Sequence, residues 1–234
     1  MKAVDIQKLL RAESNSVIAE QSTRFFKTNS GEYAEGDVFL GIRVPVLRGL
    51  VKTFSGAPLN ELVTVLRSRF HEERLFALFV LVFQYERADA TMQQKLVDTY
   101  LKNTRYINNW DLVDSSAYKI LGPYLFDKNR EVLVTLATST CMWERRIAII
   151  STLYFIKNEQ YEDTLKIARV LLQDEQDLIH KAVGWMLREV GNKDKAIEES
   201  FLKTHYSTMP RTMLRYAIEK FSKQERQAYL SGMK

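Results

Sequence analysis

Asp114 and Trp110 are the residues in this sequence whose types and spacing are best suited to chemistry. They lie four residues apart in an apolar stretch with helical periodicity, which places both at the edge of the apolar face. A carboxylate at that edge is partly desolvated, which costs free energy, so we expect it either to bond a partner or to have a function. The residues alone leave two alternatives open. One is a salt bridge from Asp114 to a basic residue on a later helix, with Arg146 the obvious candidate, and the other is a carboxylate presented for function.

Asp111, in the same stretch, has a simpler explanation. Asn109 is suited to capping a helix that starts at Trp110. Asp111 then lies in the first turn, where the helix dipole favours an anion. We therefore interpret Asp111 as a capping residue and Asp114, almost one turn further along, as the candidate functional carboxylate.

Two further tryptophans lie in apolar helical segments. Trp143 begins the segment WERRIAII, and Trp185 lies within KAVGWMLREVG. Tryptophan in a helical protein usually belongs to the core. Because these segments also carry arginines and the first tryptophan lies near Asp114, a groove-lining role is the second interpretation.

Apolar residues recur at three- and four-residue spacing along nearly the whole chain, which predicts a protein built from helices. The most apolar helices each contain a central alanine, and these alanines are separated by 40, 31, 34 and 35 residues. They are Ala77, Ala117, Ala148, Ala182 and Ala217. Helix pairs repeated at that period predict an all-α fold, a superhelical array of HEAT-like antiparallel helix pairs in a single domain over residues 1–234. A non-repetitive helix bundle is the alternative.

Basic residues precede these alanines on several of the apolar helices. Arg74, Arg146, Lys181 and Arg215 lie one to three residues before the alanine of their helix. If those helices line the concave side of the array, their charges form a basic groove suited to a phosphate backbone. The alternative is that each charge only borders an apolar stripe and is solvated, as most charged residues are.

Composition excludes several classes of protein. The longest apolar run, Leu75–Phe83, has nine residues and is too short to span a bilayer. A single cysteine, Cys141, forms no internal disulfide and suits a reducing compartment, so we expect a cytoplasmic protein. Three histidines dispersed along the sequence argue against a metal site. The net charge of +5 is compatible with a nucleic-acid partner.

Four motifs, GIRVPVLRGL, NNWDLVDSSA, WERRIAII and KAVGWMLREVG, carry a resemblance to a known family. In this order they are similar to the AlkD-like DNA alkylation repair proteins, the HEAT-repeat alkylpurine DNA glycosylases. The likeness runs from about Ser22 to the C-terminal helices. It implies a concave basic groove that binds duplex DNA, a bacterial-type cytosolic protein associated with the nucleoid, and excision of cationic alkylpurines such as 3-methyladenine and 7-methylguanine.

The resemblance also implies roles for individual residues. The family's catalytic aspartate matches Asp114, and its lesion-contacting tryptophans match Trp110 and Trp185. Phe25 stands where the family often has a tyrosine facing the lesion, so the aromatic face is kept and the hydroxyl is lost. The DNA-binding residues it implies are the groove arginine and its basic neighbours, here Arg146, Arg145, Lys181 and Arg215.

The chemistry of the implied reaction agrees with these roles. An N3- or N7-alkylated purine is already cationic, so its departure needs no protonation, and a nearby carboxylate stabilises the oxocarbenium-like sugar. Because we find no lysine placed for Schiff-base chemistry, we predict a monofunctional glycosylase, a monomer that needs no metal or other cofactor. The alternatives are a HEAT-repeat protein that binds DNA without catalysis and a protein-interaction scaffold.

Overall fold

Helices make up the regular structure of the protein, as seen in a computed structural model that describes residues 1–232. Outside the helices, this part of the chain contains an isolated parallel bridge between Val38 and Phe70. None of the described helices combines the length and the apolar character needed to cross a membrane. The predicted all-α class is confirmed.

The chain forms two compact units, and the division between them falls between Ser116 and Ala117. The helices of the first unit are α1 (Ala3–Ala12), α2 (Ser16–Phe25), α3 (Val44–Leu50), α4 (Leu59–Leu66), α5 (His71–Tyr85) and α6 (Ala90–Lys102), with 3-10 helices at Val51–Phe54 and Thr104–Tyr106. Helix α7 (Trp110–Leu125) begins in the first unit and ends in the second.

The second unit continues from the end of α7 with shorter helices around one long one. They are α8 (Glu131–Ala137), α9 (Met142–Ser151), α10 (Leu153–Lys157), α11 (Glu162–Val170), α12 (Asp177–Lys193), α13 (Lys195–His205), α14 (Arg211–Ala217) and α15 (Lys223–Ser231), with a 3-10 helix at Ile218–Lys220. The single domain over residues 1–234, whose last two residues lie outside the described part, stays a prediction, as do the HEAT-like superhelix and its concave basic groove.

The alanines that mark the predicted repeat are all buried. Each lies inside a helix, in α5, α7, α9, α12 and α14, and each is at most 1% exposed. A larger side chain at such a position would need space that the neighbouring helices fill. The spacing of these alanines therefore identified buried positions in both units.

Helix α5 is the centre of the first unit and packs against α3, α4 and α6. Its second residue, Glu72, is buried and accepts the backbone N–H groups of Leu40, Gly41 and Ile42 at 2.8, 2.7 and 3.2 Å. These donors compensate the desolvation of the carboxylate. Glu72 therefore fixes the end of the segment of residues 26–43, which we call the α2–α3 loop.

Gly41 brings the α2–α3 loop against the start of α2. Its φ of +78° is a conformation that favours glycine, and a Cβ atom there would lie 2.0 Å from the carbonyl oxygen of Asn15. Asn15 is the N-cap of α2, and its backbone N–H donates to the carbonyl of Leu40 at 2.9 Å. Direct contact between backbones therefore locates α2 relative to the loop, and Glu72 locates the loop relative to α5.

Helix α12 is the centre of the second unit and packs against α9, α11, α13 and α14. At Gly184 it approaches α14 closely. A Cβ atom at Gly184 would lie 2.4 Å from the carbonyl oxygen of Met213 and 2.5 Å from the Cβ atom of Tyr216. The absence of a side chain at this position is what permits the α12–α14 contact.

Candidate functional site

The first turn of α7 is fixed by Asn109, which is fully buried. Its side-chain oxygen accepts the N–H of Trp110 at 2.8 Å, and its backbone carbonyl accepts the N–H of Val113 at 3.2 Å. Its amide nitrogen donates to Oδ2 of Asp37 at 3.1 Å. The helix therefore begins at Trp110, as predicted, and its start is tied to the α2–α3 loop.

His71, the first residue of α5, lies between two carboxylates. Its Nδ1 is 3.2 Å from Oδ2 of Asp37, and its Nε2 is 2.8 Å from Oδ2 of Asp111. The imidazole is only 2% exposed, whereas the carboxylate of Asp111 is 17% exposed. Asp111 also accepts the N–H of Leu112 through Oδ1 at 2.9 Å, so it serves the helix start and His71 together.

Arg74 completes this arrangement one turn further along α5. Its Nη2 donates to Oδ1 of Asp37 at 2.6 Å, and both side chains are buried. Burial alone raises the pKa of Asp37, but the hydrogen bond from His71 and the charge of Arg74 outweigh it and lower that pKa below its ordinary value. We call Asp37, His71, Arg74 and Asp111 the histidine cluster. Its two carboxylates are balanced by two cations when His71 is protonated.

His71 is held in its protonated form. Burial by itself lowers its pKa, but the charge and hydrogen bond of Asp111, with the hydrogen bond of Asp37, more than compensate and raise it from 6.5 to about 9. At neutral pH both ring nitrogens therefore carry protons and donate, one to each carboxylate.

Aromatic rings cover the histidine cluster. Phe26 stacks on Trp110 with ring centroids 5.4 Å apart and an interplanar angle of 21°, and on Phe39 at 5.0 Å. The His71 ring lies 4.9 Å from Phe26 and 4.7 Å from Phe39. Phe25 meets Trp110 edge to face at 6.1 Å and is 66% exposed. We call Phe25, Phe26, Phe39 and Trp110 the aromatic cluster, and it presents rings to solvent at the start of α7.

Asp114 lies almost one turn beyond Asp111 and is half-buried. Burial raises the pKa of Tyr100, and the negative charge of Asp114 raises it further, which places the carboxylate near that ring. The Tyr100 hydroxyl is 3.0 Å from Oγ of Ser116. The Asp114 side chain is therefore neither enclosed in the core nor fully exposed.

In the second unit, the two arginines at the start of α9 have partners within the protein. Arg145 donates from Nε to Oδ2 of Asp174 at 2.6 Å and from Nη1 to the carbonyl of Ser139 at 3.0 Å. Arg146 is 5% exposed and donates from Nη1 to the carbonyl of Leu178. Both guanidinium groups thus help to fix the ends of α9 and α12.

The remaining residues assigned from the sequence lie on α12 and α14. Trp185 is half-buried, and its Nε1 donates to Oε1 of Glu189 at 2.9 Å. Lys181 pairs with Asp177 at 2.7 Å and keeps 39% of its side chain exposed. Arg215 on α14 is exposed. Arg215 therefore offers a more accessible charge than Arg145 or Arg146.

Metal-binding groups are scarce in this arrangement. Over residues 1–232, no three His, Cys, Asp or Glu side chains are grouped so that they would hold a metal ion. His71 has a carboxylate at each ring nitrogen, and the Arg74 guanidinium bonds one of those carboxylates. The histidine cluster is therefore an internally neutralised network.

The comparison with known families identifies the chain. The sequence profile of the DNA alkylation repair enzymes matches residues 6–221. The protein belongs to this family. A solved structure from Enterococcus faecalis, described as a predicted DNA alkylation repair enzyme, is 18% identical and superposes with a TM-score of 0.69 over 90% of this chain and 98% of that one. No protein of curated function matches the sequence significantly.

Within this member of the DNA alkylation repair family, the residues assigned from the sequence fall into two sets. Trp110, Asp114 and Phe25 lie in the first unit, where Trp110 and Phe25 are in direct contact. Trp185 and the four basic residues lie in the second unit. Their roles in binding or catalysis stay predictions.

Sequence reasoning missed three of the residues that surround the start of α7. Phe26, and not Phe25, stacks face to face on Trp110, and His71 and Asp37 form the buried pairs described above. Asp111 was interpreted as a capping residue, and it is also the partner of His71. Two features of the sequence could have indicated these residues: the pair Phe25-Phe26 where α2 ends, and the carboxylate of Asp37 inside a glycine-rich segment. Neither feature indicates which distant residue it contacts in the folded protein.

Proposed function

We propose that this DNA alkylation repair protein is a monofunctional DNA glycosylase. It would hydrolyse the N-glycosidic bond of positively charged alkylated purines, such as 3-methyladenine and 7-methylguanine, in duplex DNA. Membership of the family supports DNA repair in general. The observation that carries the specific reaction is the half-buried carboxylate of Asp114, one turn from Trp110 on a helix whose start is covered by the aromatic cluster.

The proposed chemistry needs a negative charge beside the sugar and little else. A cationic purine is a good leaving group without protonation, and positive charge develops on the sugar as the bond breaks. The Asp114 carboxylate stabilises that charge electrostatically and orients the attacking water. Partial burial strengthens such an interaction because solvent screens it less than at the surface.

The aromatic residues would contact the lesion or its sugar. A cation against the face of an aromatic ring gains roughly 0.5–2 kcal/mol, depending on how far it is desolvated. Trp110 in the first unit and Trp185 in the second are both half-buried, so part of each indole is accessible. Phe25, 66% exposed beside Trp110, offers ring surface without a hydroxyl group.

The basic residues of the second unit would bind phosphates and position the duplex. Arg215 and Lys181 have the accessible charge for this role. Arg146 and Arg145 would act from more buried positions, and Arg145 already has Asp174 as its partner. We further propose that the protein works as a monomer without a cofactor, in a bacterial-type cytoplasm beside the nucleoid.

The proposal is tested by replacing Asp114 with Asn, which removes the charge and keeps the size. We expect Asp114→Asn to lower the release of 7-methylguanine from methylated duplex DNA at least about a hundredfold, a loss typical of removing one electrostatic catalytic group. Binding to undamaged duplex should change little, because the carboxylate contributes no attraction to phosphates.

Asp127→Asn is the matched control. Asp127 is exposed, and its side chain forms an ion pair with that of its neighbour Lys128. The same chemical change at this position should therefore leave base release unaltered. If the unmodified protein binds methylated duplex DNA and releases no base, the glycosylase proposal is wrong, and the protein is a non-catalytic DNA-binding member of the family.

A further inference from the structure

His71 has no part in the proposed chemistry, yet it lies buried between two carboxylates at the start of α7, 3.2 Å from Asp37 and 2.8 Å from Asp111. We propose that His71 is a positioning residue: its imidazolium neutralises Asp111 and thereby keeps Asp114, on the next turn of α7, available as an ionised carboxylate. This inference rests on the proposed function, because it concerns the carboxylate on which that function depends.

The charged groups that face His71 come from three segments. The α2–α3 loop supplies Asp37, α7 supplies Asp111, and α5 itself supplies Arg74, which bonds Asp37. The α2–α3 loop also supplies the neutral rings of Phe26 and Phe39. With His71 protonated, these charges sum to zero.

The two acidic residues that follow His71 on α5 serve other partners. Glu72 accepts the backbone N–H groups at the end of the α2–α3 loop. Glu73 bonds Arg11 at 2.7 Å and Gln7 at 3.0 Å on α1. Neither therefore replaces Asp37 or Asp111 as the counter-ion of His71. The positive charge that offsets Asp111 comes from the imidazolium 2.8 Å away.

Asp111 and Asp114 are three residues apart on one helix, so their side chains lie on neighbouring turns of the same side. Two carboxylates so placed repel each other, and the repulsion favours protonation of one of them. In the native protein the charge of His71 cancels that of Asp111. Without His71, Asp111 would be a partly buried, uncompensated anion beside Asp114.

His71 also supports the aromatic cluster, since its ring packs on Phe26 and Phe39. Loss of activity in a His71 variant would therefore not distinguish an electrostatic role from lost packing. The pH dependence does distinguish them. Lost packing lowers the rate at every pH, whereas a changed charge moves the pH at which Asp114 ionises.

The test compares the pH–rate profiles for release of 7-methylguanine by the native protein, His71→Gln and the double variant His71→Gln with Asp111→Asn. The positive charge on this base comes from methylation and not from a bound proton, so it is already complete at acidic pH and the acidic limb reports an enzyme carboxylate. In His71→Gln we expect that limb to move to higher pH by roughly one unit, about a tenfold loss on the acidic side. In the double variant, where the cluster is neutral again, the limb should return to the native position.

Asp111→Asn alone provides the opposite change, because it leaves the imidazolium without its second counter-ion. The acidic limb should then move to lower pH, and this variant remains informative if His71→Gln fails to fold. An unmoved limb in both single variants would overturn the inference. So would a limb shifted equally in His71→Gln and in the double variant.

A second readout does not depend on activity. The midpoint of the Asp114 carboxyl titration, followed by NMR with carbon-13 labelled aspartate, should rise in His71→Gln and return in the double variant. If the native protein releases no base, the proposed function fails, but this titration still decides whether His71 sets the ionisation of Asp114. An Asp114 midpoint that is the same in all three proteins would contradict the positioning role.

Discussion

At the scale of single residues, the buried imidazolium of His71 links the stability of the fold to pH. Its pKa in the folded protein is about 9, above the ordinary value of 6.5. A group whose pKa is raised on folding contributes stability below its unfolded pKa, and that contribution is lost as pH rises through the folded value. The pairing therefore stabilises the protein fully below pH 6.5 and progressively less up to about pH 9.

We predict that the free energy of unfolding falls by about 3 kcal/mol between pH 6.5 and 9 from this residue alone. Urea unfolding at a series of pH values measures it. His71→Gln should be less stable than the native protein at pH 6. Its free energy of unfolding should not show the decrease between pH 6.5 and 9 that His71 causes in the native protein. Parallel stability curves for the two proteins between pH 7 and 9 would show that His71 is not held as a cation.

The same residues show where sequence reasoning ends. Trp110 and Asp114 were identifiable because their four-residue spacing within one helix is a local property. The partner of Asp111 was not, since His71 lies 40 residues away and only the folded chain brings the two together. Its place in the first helical turn already explained the carboxylate of Asp111 as a capping residue. The sequence therefore offered no reason to expect a further partner for it.

At the scale of helices, close packing depends on particular glycines. Gly184→Ala should destabilise the protein by about 1–3 kcal/mol, because the new methyl group would meet backbone atoms of α14 that have no flexible side chain to move. Thermal or urea unfolding measures the loss.

Gly49→Ala is the matched control. Gly49 lies within α3, and an added Cβ atom would meet no atom within 4 Å. Alanine favours a helix over glycine, so this variant should be more stable than the native protein by about 0.5–1 kcal/mol. Equal effects at the two positions would mean that helix propensity, and not the α12–α14 contact, decides the cost.

Helices were also the elements that the sequence predicted best. The 3.6-residue period identifies them because each buries one face, and the central alanines marked buried positions in five of them. The α2–α3 loop was visible only as a glycine-rich segment. Its path depends on Glu72 and on the contact between Gly41 and Asn15, and such long-range contacts leave no periodic pattern.

At the scale of the whole molecule, the net charge of +5 bears on DNA binding. Each phosphate contact made by a basic residue contributes about one unit to the slope of log affinity against log salt. We predict that Arg215→Ala weakens binding to undamaged duplex of any sequence and lowers that slope by about one. Fluorescence anisotropy at several salt concentrations measures both quantities.

Lys95→Ala is the control for this prediction. Lys95 is also exposed and lies on α6, which is not among the helices that carry the central alanines and the basic residues before them. Both variants remove one positive charge, so a general charge effect would weaken binding equally in the two. A loss confined to Arg215→Ala would support a binding surface on α14, and an identical loss in Lys95→Ala would contradict it.

The division between the two compact units lies within α7 and not in a connecting loop. The first half of this helix carries Asp111 to its partner His71, and its second half carries Gly122, where a Cβ atom would come within 2.6 Å of Tyr154. If halves of related proteins are recombined, a junction at this boundary therefore disrupts contacts of α7 on one side or the other. A chimera must take α7 from one parent together with the residues that contact both of its halves, His71 in the first unit and Tyr154 in the second. Otherwise the contacts on the exchanged side have to be redesigned.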